Sequence, residues 1–165
     1  MNRLLIAAAI AASFVASPLF AQTPAAPPAP PPYGAPITFD AAKKAMAAAE
    51  AEAKKNNWPV AIAIVDSAGQ LAAFSKIDNT QHASVDIAIG KALTANNFKR
   101  PTKALQDAIA QGGANLRLLA VKGATPLEGG VPIIVDGKII GAIGASGVMA
   151  NQDAEVAMAG AAAAK

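Results

Sequence analysis

Cysteine is missing from this 165-residue sequence, which also holds a single histidine and few aromatic residues. Without cysteine there is no disulfide framework, no thiolate metal site and no cysteine nucleophile. One imidazole cannot supply an HExxH pair or a facial triad. The carboxylates Asp66, Asp78, Asp86, Asp136 and Asp153 are too scattered to compensate. Aromatic residues make up 4% of the chain although 53% is hydrophobic, and much of that fraction is alanine. Alanine buries little area, so the core must come from helices and strands that approach closely rather than from large side chains. Small, smooth faces also suit subunit packing, and a homo-oligomer is expected. No charge of one sign dominates: the net charge is +3, with lysines spread among acids, so there is no nucleic-acid footprint.

Arg3 precedes an apolar run from Leu4 to Ala16 that is too short for a comfortable membrane span. That is the layout of a secretory signal peptide, with the expected cut after Ala21. Residues 1–21 are thus read as the signal and residues 22–37 as a proline-rich linker. Residues 38–165 form one domain, periplasmic or secreted, with no stable membrane span after cleavage. Thr23 to Pro36 carries seven prolines in 14 residues and favours polyproline II. A ligand for a proline-recognising partner, with Tyr33 as its aromatic, is one reading of this stretch; a semi-rigid spacer is the preferred one.

Order should begin at Thr38, the N-cap of an amphipathic helix to about Asn56 whose stripe is Phe39, Ala42, Met46, Ala49 and Ala53. Val60 to Val65 is apolar on both faces, as a strand covered from both sides would be, and Gln70 to Phe74 returns antiparallel after the Asp66–Gly69 turn. Helices follow at about Gln81–Asn97 and Pro101–Gln111. The first of these has one line of Val85, Ile89 and Leu93 and another of Ala88, Ala92 and Ala95, so it should be buried on more than one side. A short strand is expected at Leu118–Val121. Val131–Val135 and Lys138–Ala145 flank Asp136–Gly137, the pair a type I′ hairpin prefers. A last helix takes Gln152 to Ala164. Two hairpins with helices grouped between and after them predict an α+β fold, an antiparallel sheet of about five strands packed with helices.

Several motifs invite chemistry and then fail on geometry. The run Gly141-Ala-Ile-Gly144-Ala-Ser-Gly147 matches neither GxGxxG nor the phosphate-loop spacing, and its glycines read as close-packing positions; Ser146, Gly147 and the following helix start could hold a carboxylate only weakly. His82, Ser84 and Asp86 carry the side chains of a hydrolytic triad, but on a helix the i+2 position points away from i. No catalytic residue is assigned. His82 remains the only imidazole, a candidate metal ligand beside the loop Asp78–Thr80. Met46, Met149 and Met158 are thioethers able to ligate haem iron, and methionine in an apolar core is usually filler.

The ordered series Val65-Asp66-Ser-Ala-Gly69-Gln-Leu71, Ile77-Asp78, Ser84, Ala88, Lys91-Ala92-Leu-Thr94-Ala95, Leu127-Glu-Gly129-Gly130-Val-Pro132-Ile133, Gly141 to Gly147 and Gln152-Asp153 resembles the GlcG/HbpS family. The resemblance implies an α+β domain, usually oligomeric, whose members include haem-binding proteins. Other members accompany glycolate utilisation or are attached to corrinoid adenosyltransferases. Carried onto this chain, it places a haem pocket around Lys91 to Ala95, with Thr94 or His82 near the iron and Lys91 pairing a propionate. The loop bearing Gly129 and Gly130 is the second wall. Relatives commonly carry arginine in an R-x-D pattern where this chain has Lys76-Ile77-Asp78, which weakens any bidentate anion contact there. The expected function is that of an exported, non-catalytic haem-binding protein. An accessory or enzyme for a small 2-hydroxy or keto acid such as glycolate, and a structural oligomer that binds a partner protein, are the alternatives.

Overall fold

The computed structural model describes residues 29–165; the expected signal peptide and the first residues of the expected linker lie outside that range. Thr38 opens helix α1 (Phe39–Lys55), its hydroxyl oxygen accepting the Ala41 N–H at 3.2 Å. There follow strands β1 (Ala61–Asp66) and β2 (Leu71–Lys76), helices α2 (Ser84–Phe98) and α3 (Thr102–Ala110), and a 3-10 segment (Gly113–Ala120). Strands β3 (Gly130–Val135) and β4 (Lys138–Ser146) precede the last helix α4 (Ala150–Ala163). The strands form one antiparallel sheet in the order β2-β1-β4-β3. Asp136 and Gly137 both adopt positive φ, as the type I′ turn between β3 and β4 requires.

The central strand β1 is buried from Ala61 to Val65, as its two-sided apolar run demands. Ile62 and Ile64 point to the side of α1 and α4, where they meet Ala45, Ala49, Ile143 and Val156. Ala61, Ala63 and Val65 point to the other side, against Ala88, Ala92 and Ala95 of α2. This second layer contains no side chain larger than valine among its buried residues, so α2 must lie nearly on the backbone of the sheet. Gly144 permits that: a Cβ there would collide with the Ala88 carbonyl oxygen. The glycines of β4 are close-packing positions.

Four differences from the sequence reading have local causes. The sheet has four strands rather than about five, because Leu118–Val121 belongs to the 3-10 segment and its exit. A run of four apolar residues cannot be told from a helical turn by periodicity. The left-handed Gly112 and Gly113 start the chain turning, and Leu116, Leu119 and Val121 end up exposed. Phe39 is 72% exposed instead of joining the α1 stripe; it sits at the helix start, where the Lys43 ammonium lies 4.6 Å from its ring centre, and Ala45 takes its place in the core. The last helix starts at Ala150, two residues before the expected Gln152, and Met149 is its N-cap.

The fourth difference concerns the linker. β1 ends at Asp66 opposite Gly141, which leaves Lys138–Ile140 with an unpaired edge. Pro32–Ile37 fills it: Ile139 N–H donates to the Pro32 carbonyl at 2.9 Å, and Gly34 and Ile37 N–H donate to Ile139 and Ile140 carbonyls at 2.8 Å. Tyr33 fastens this strap by donating its hydroxyl to the Asn96 carbonyl at 2.8 Å, under the Lys99 ammonium. Ile37 is buried in the core, one residue ahead of the expected start of order.

Candidate functional site

Lys91 is 2% exposed, two turns into α2, and its ammonium donates to Asp153 Oδ2 at 2.8 Å and to the Ala145 carbonyl at 2.9 Å. Asp153, in the first turn of α4, uses its other oxygen to accept the Val148 N–H at 3.2 Å. Burial pushes the Asp153 carboxyl above the usual aspartate range, opposed by the Lys91 ammonium and by the Val148 and Gly147 N–H groups. The pair is satisfied on the inside of the fold. Asp153 also takes up the Val148 N–H ahead of α4, one of the donors a ligand carboxylate would use there.

Gly129 and Gly130 pack directly on this pair. A Cβ on Gly129 would stand 2.7 Å from Lys91 Nζ, and one on Gly130 would strike the Lys91 carbonyl oxygen. Only glycine also suits the φ of +122° at Gly129. Their outer side forms the floor of a groove of about 280 Å³, walled by Pro101 and Lys103 at the start of α3, Glu128 and Val131, and Ala154 and Met158 of α4. Its lining is overwhelmingly apolar. Lys103 stands at the rim in an exposed pair with Asp107 at 2.8 Å, and Met158, 51% exposed, contributes its thioether to the wall.

The structure therefore brings together Lys91, Gly129 and Gly130 of the expected residues, with the lysine beneath the groove floor rather than facing it. Thr94 lies one turn further along α2, buried, donating to the Gly90 carbonyl at 2.7 Å and accepting the Thr125 N–H at 2.7 Å. Its hydroxyl holds down the loop after the 3-10 segment. His82 is exposed in the turn before α2, and about 15 Å of helix separates Ser84 from Thr94. Ser84 donates to no acid or base of a triad; it accepts from Ser146 at 3.3 Å. Among the described residues no group of three or more His, Cys, Asp or Glu could hold a metal ion. Asp153, Lys103 and Val131 were not singled out as a site by sequence, since nothing in their spacing links residues that meet only through the fold, and Met158 was named as a thioether able to ligate haem iron but read as core filler. Met46 is half-buried between α1 and the core, and Met149 is exposed.

A small α+β domain with a buried Lys91–Asp153 ion pair under an apolar groove is the class that fold and site define. Its family is specific: the model of the haem degrading protein HbpS-like family matches residues 37–162, and the chain belongs to that family. It is 43% identical to protein GlcG of Escherichia coli over 101 residues, 61% of this chain and 74% of that protein. A double mutant of Streptomyces reticuli HbpS superposes with a TM-score of 0.72 at 31% identity, covering 90% of this chain and 97% of the other. A haem complex of PduOC superposes with a TM-score of 0.71 at 28% identity, covering 78% and 94%.

Proposed function

We propose that the chain is an exported haem-binding protein, a carrier, scavenger or sensor accessory that performs no chemistry of its own, and that haem is held at the groove over Gly129 and Gly130. The carrying observation is the groove itself, apolar on its walls and supplied with one cation and one thioether. It lies in a chain whose family is described by haem degradation and whose structural relatives include a haem complex. The residues fit the group in kind. Pro101, Val131, Ala154 and Met158 would offer an apolar seat, Lys103 would pair a propionate, and Met158 would supply a soft thioether donor to the iron. At about 280 Å³ the groove is near the lower bound for small-ligand sites, so a porphyrin would be gripped along one edge. Lys91 supports this seat from below rather than pairing a propionate, since its donors already serve Asp153 and Ala145.

Titrating the purified protein with haemin should give a saturable Soret band. Met158→Ala should move the band and Lys103→Ala should weaken binding, whereas His82→Ala should leave both unchanged. Absence of a saturable band rejects the reading. A Met158→Ala band identical to the wild type, together with a shift in His82→Ala, relocates the site to the turn before α2. Following the loaded protein in peroxide separates binding from degradation: Soret loss faster than for free haemin would assign a catalytic role. Export is tested by fractionation and N-terminal sequencing, with Gln22 as the expected first residue. The glycolate alternative has less support, because Asp153 already takes up the Val148 N–H just ahead of the helix start where a carboxylate would dock.

A further inference from the structure

A second cavity, of about 310 Å³, opens where α1 ends, and it shares no lining residue with the groove. Its walls are Ala53 and Lys54 in the last turn of α1, Asn57, Trp58 and Pro59 from the α1–β1 connection, and Ile77, Asp78 and Asn79 from the exit of β2. We propose that this cavity is a small-ligand site for a neutral polyhydroxylated ring, a monosaccharide or a close relative, read by Trp58 as a platform and by Asn57, Asp78 and Asn79 as a polar rim.

The walls are held before any ligand arrives. Trp58 N–H donates to the Ala53 carbonyl at 2.9 Å and Ile77 N–H to the Val60 carbonyl at 3.0 Å, tying the two connections together. The buried Thr80 closes the β2 exit by donating its hydroxyl to the Ile77 carbonyl at 2.6 Å. Asn57 and Asn79 both stand in the left-handed region, at φ of 55° and 65°. Non-glycine residues rarely adopt that conformation, and asparagine does so most readily. Two such residues face one cavity from two different connections.

The chemistry of the lining selects the ligand class. Trp58, Pro59, Ala53 and Ile77 give an apolar base, which suits the C–H face of a sugar ring. The rim amides of Asn57 and Asn79 both donate and accept, and the Asp78 carboxylate accepts from adjacent hydroxyls. Among the described residues these three side chains make no hydrogen bond, so their capacity is directed to solvent and cavity. Asp78 leaves the rim negative, since the Lys54 ammonium is already paired with the Glu50 carboxylate at 3.6 Å. A strongly anionic ligand therefore gains little here, and a neutral polyol loses nothing.

Trp58 is the only tryptophan of the chain, so its fluorescence reports on this cavity alone. Purified haem-free full chain is titrated with glucose, galactose, mannose and ribose, with tetramethylammonium and acetate as charged controls. A saturable change with at least one sugar is expected. Asp78→Asn and Asn79→Gly, the latter keeping the left-handed backbone while removing the amide, should each weaken it about tenfold. Circular dichroism and haemin binding unchanged in both variants show that the fold and the groove are intact. Asn57→Gly is the replacement should one of them fail to fold. No saturable change with any of the sugars, saturation by a charged control alone, or undiminished affinity in the folded variants overturns the proposal, whatever the haemin titration shows.

Discussion

Lys91 and Asp153 come from positions 62 residues apart and are each almost wholly buried, so neither charge has water as an alternative partner. Removing one member of such a pair costs about 3–5 kcal/mol, because the survivor is left buried and uncompensated. Lys91→Met should therefore destabilise the domain by about that much at neutral pH, read as a lower midpoint in urea. The pH dependence has a definite sign. Burial already raises the Asp153 carboxyl, and Lys91 is the main group holding it back, so the variant raises it further. A group whose folded pKa exceeds the unfolded value contributes stability that is present below the unfolded pKa and is lost as pH rises through the folded one. The Lys91→Met penalty should accordingly shrink as pH falls through the raised Asp153 pKa to below the unfolded aspartate value of about 3.9, and an equal penalty at neutral and acid pH would contradict the coupling. The sequence singled out Lys91, through its place in the Lys91–Ala95 segment, but as a surface cation awaiting a propionate. Asp153 read as an ordinary acid in the first turn of a helix, because local sequence says nothing about which distant charge a buried ammonium will meet.

The contact between α2 and β4 shows what a chain poor in large side chains does for packing. Ala88, Ala92 and Ala95 let the helix sit on the sheet, and Gly144 lets it sit lower still. Gly144→Ala should cost about 1–3 kcal/mol as an overpacking change, measured by thermal unfolding, although alanine is otherwise a better strand residue than glycine. The strap is held more lightly. Tyr33→Phe removes one hydrogen bond, worth about 1 kcal/mol, and should raise amide exchange at Gly34 and Ile139 while leaving β1 protected. Elements with their own local signals were legible in the sequence: the Thr38 cap, the Asp136–Gly137 turn, the alternation of α2 and the two-sided β1. The 3-10 segment was not, because four apolar residues carry no distinguishing period. The strap was not either, because a proline-rich composition predicts extended backbone without revealing that β4 leaves an edge to receive it.

For the whole molecule, the two lines of α2 have different fates. The alanine line is buried in the domain, whereas Val85, Ile89 and Leu93 are only half-buried. Beside them lies edge strand β2, whose Phe74 and Leu71 pair in register with Ala63 and Val65 and so share the α2 side of the sheet, where the helix does not reach them. Leu71 is 53% and Phe74 39% exposed, and Leu93 abuts the turn at Gly69 that joins β1 to β2. An unpaired edge strand next to a half-covered apolar helix line is a patch that an isolated domain rarely leaves open. The expected homo-oligomer supplies a partner to test, a second copy of the chain presenting the same Val85, Ile89, Leu93 and Phe74 face. Sedimentation of the mature protein should give a mass above that of one chain. Ile89→Glu with Phe74→Glu should return it to a single-chain mass while circular dichroism remains unchanged, because both positions lie outside the buried core of the domain. A wild type that sediments as a single chain, or an assembly indifferent to the double change, would place the subunit contacts elsewhere and leave this patch for a different partner.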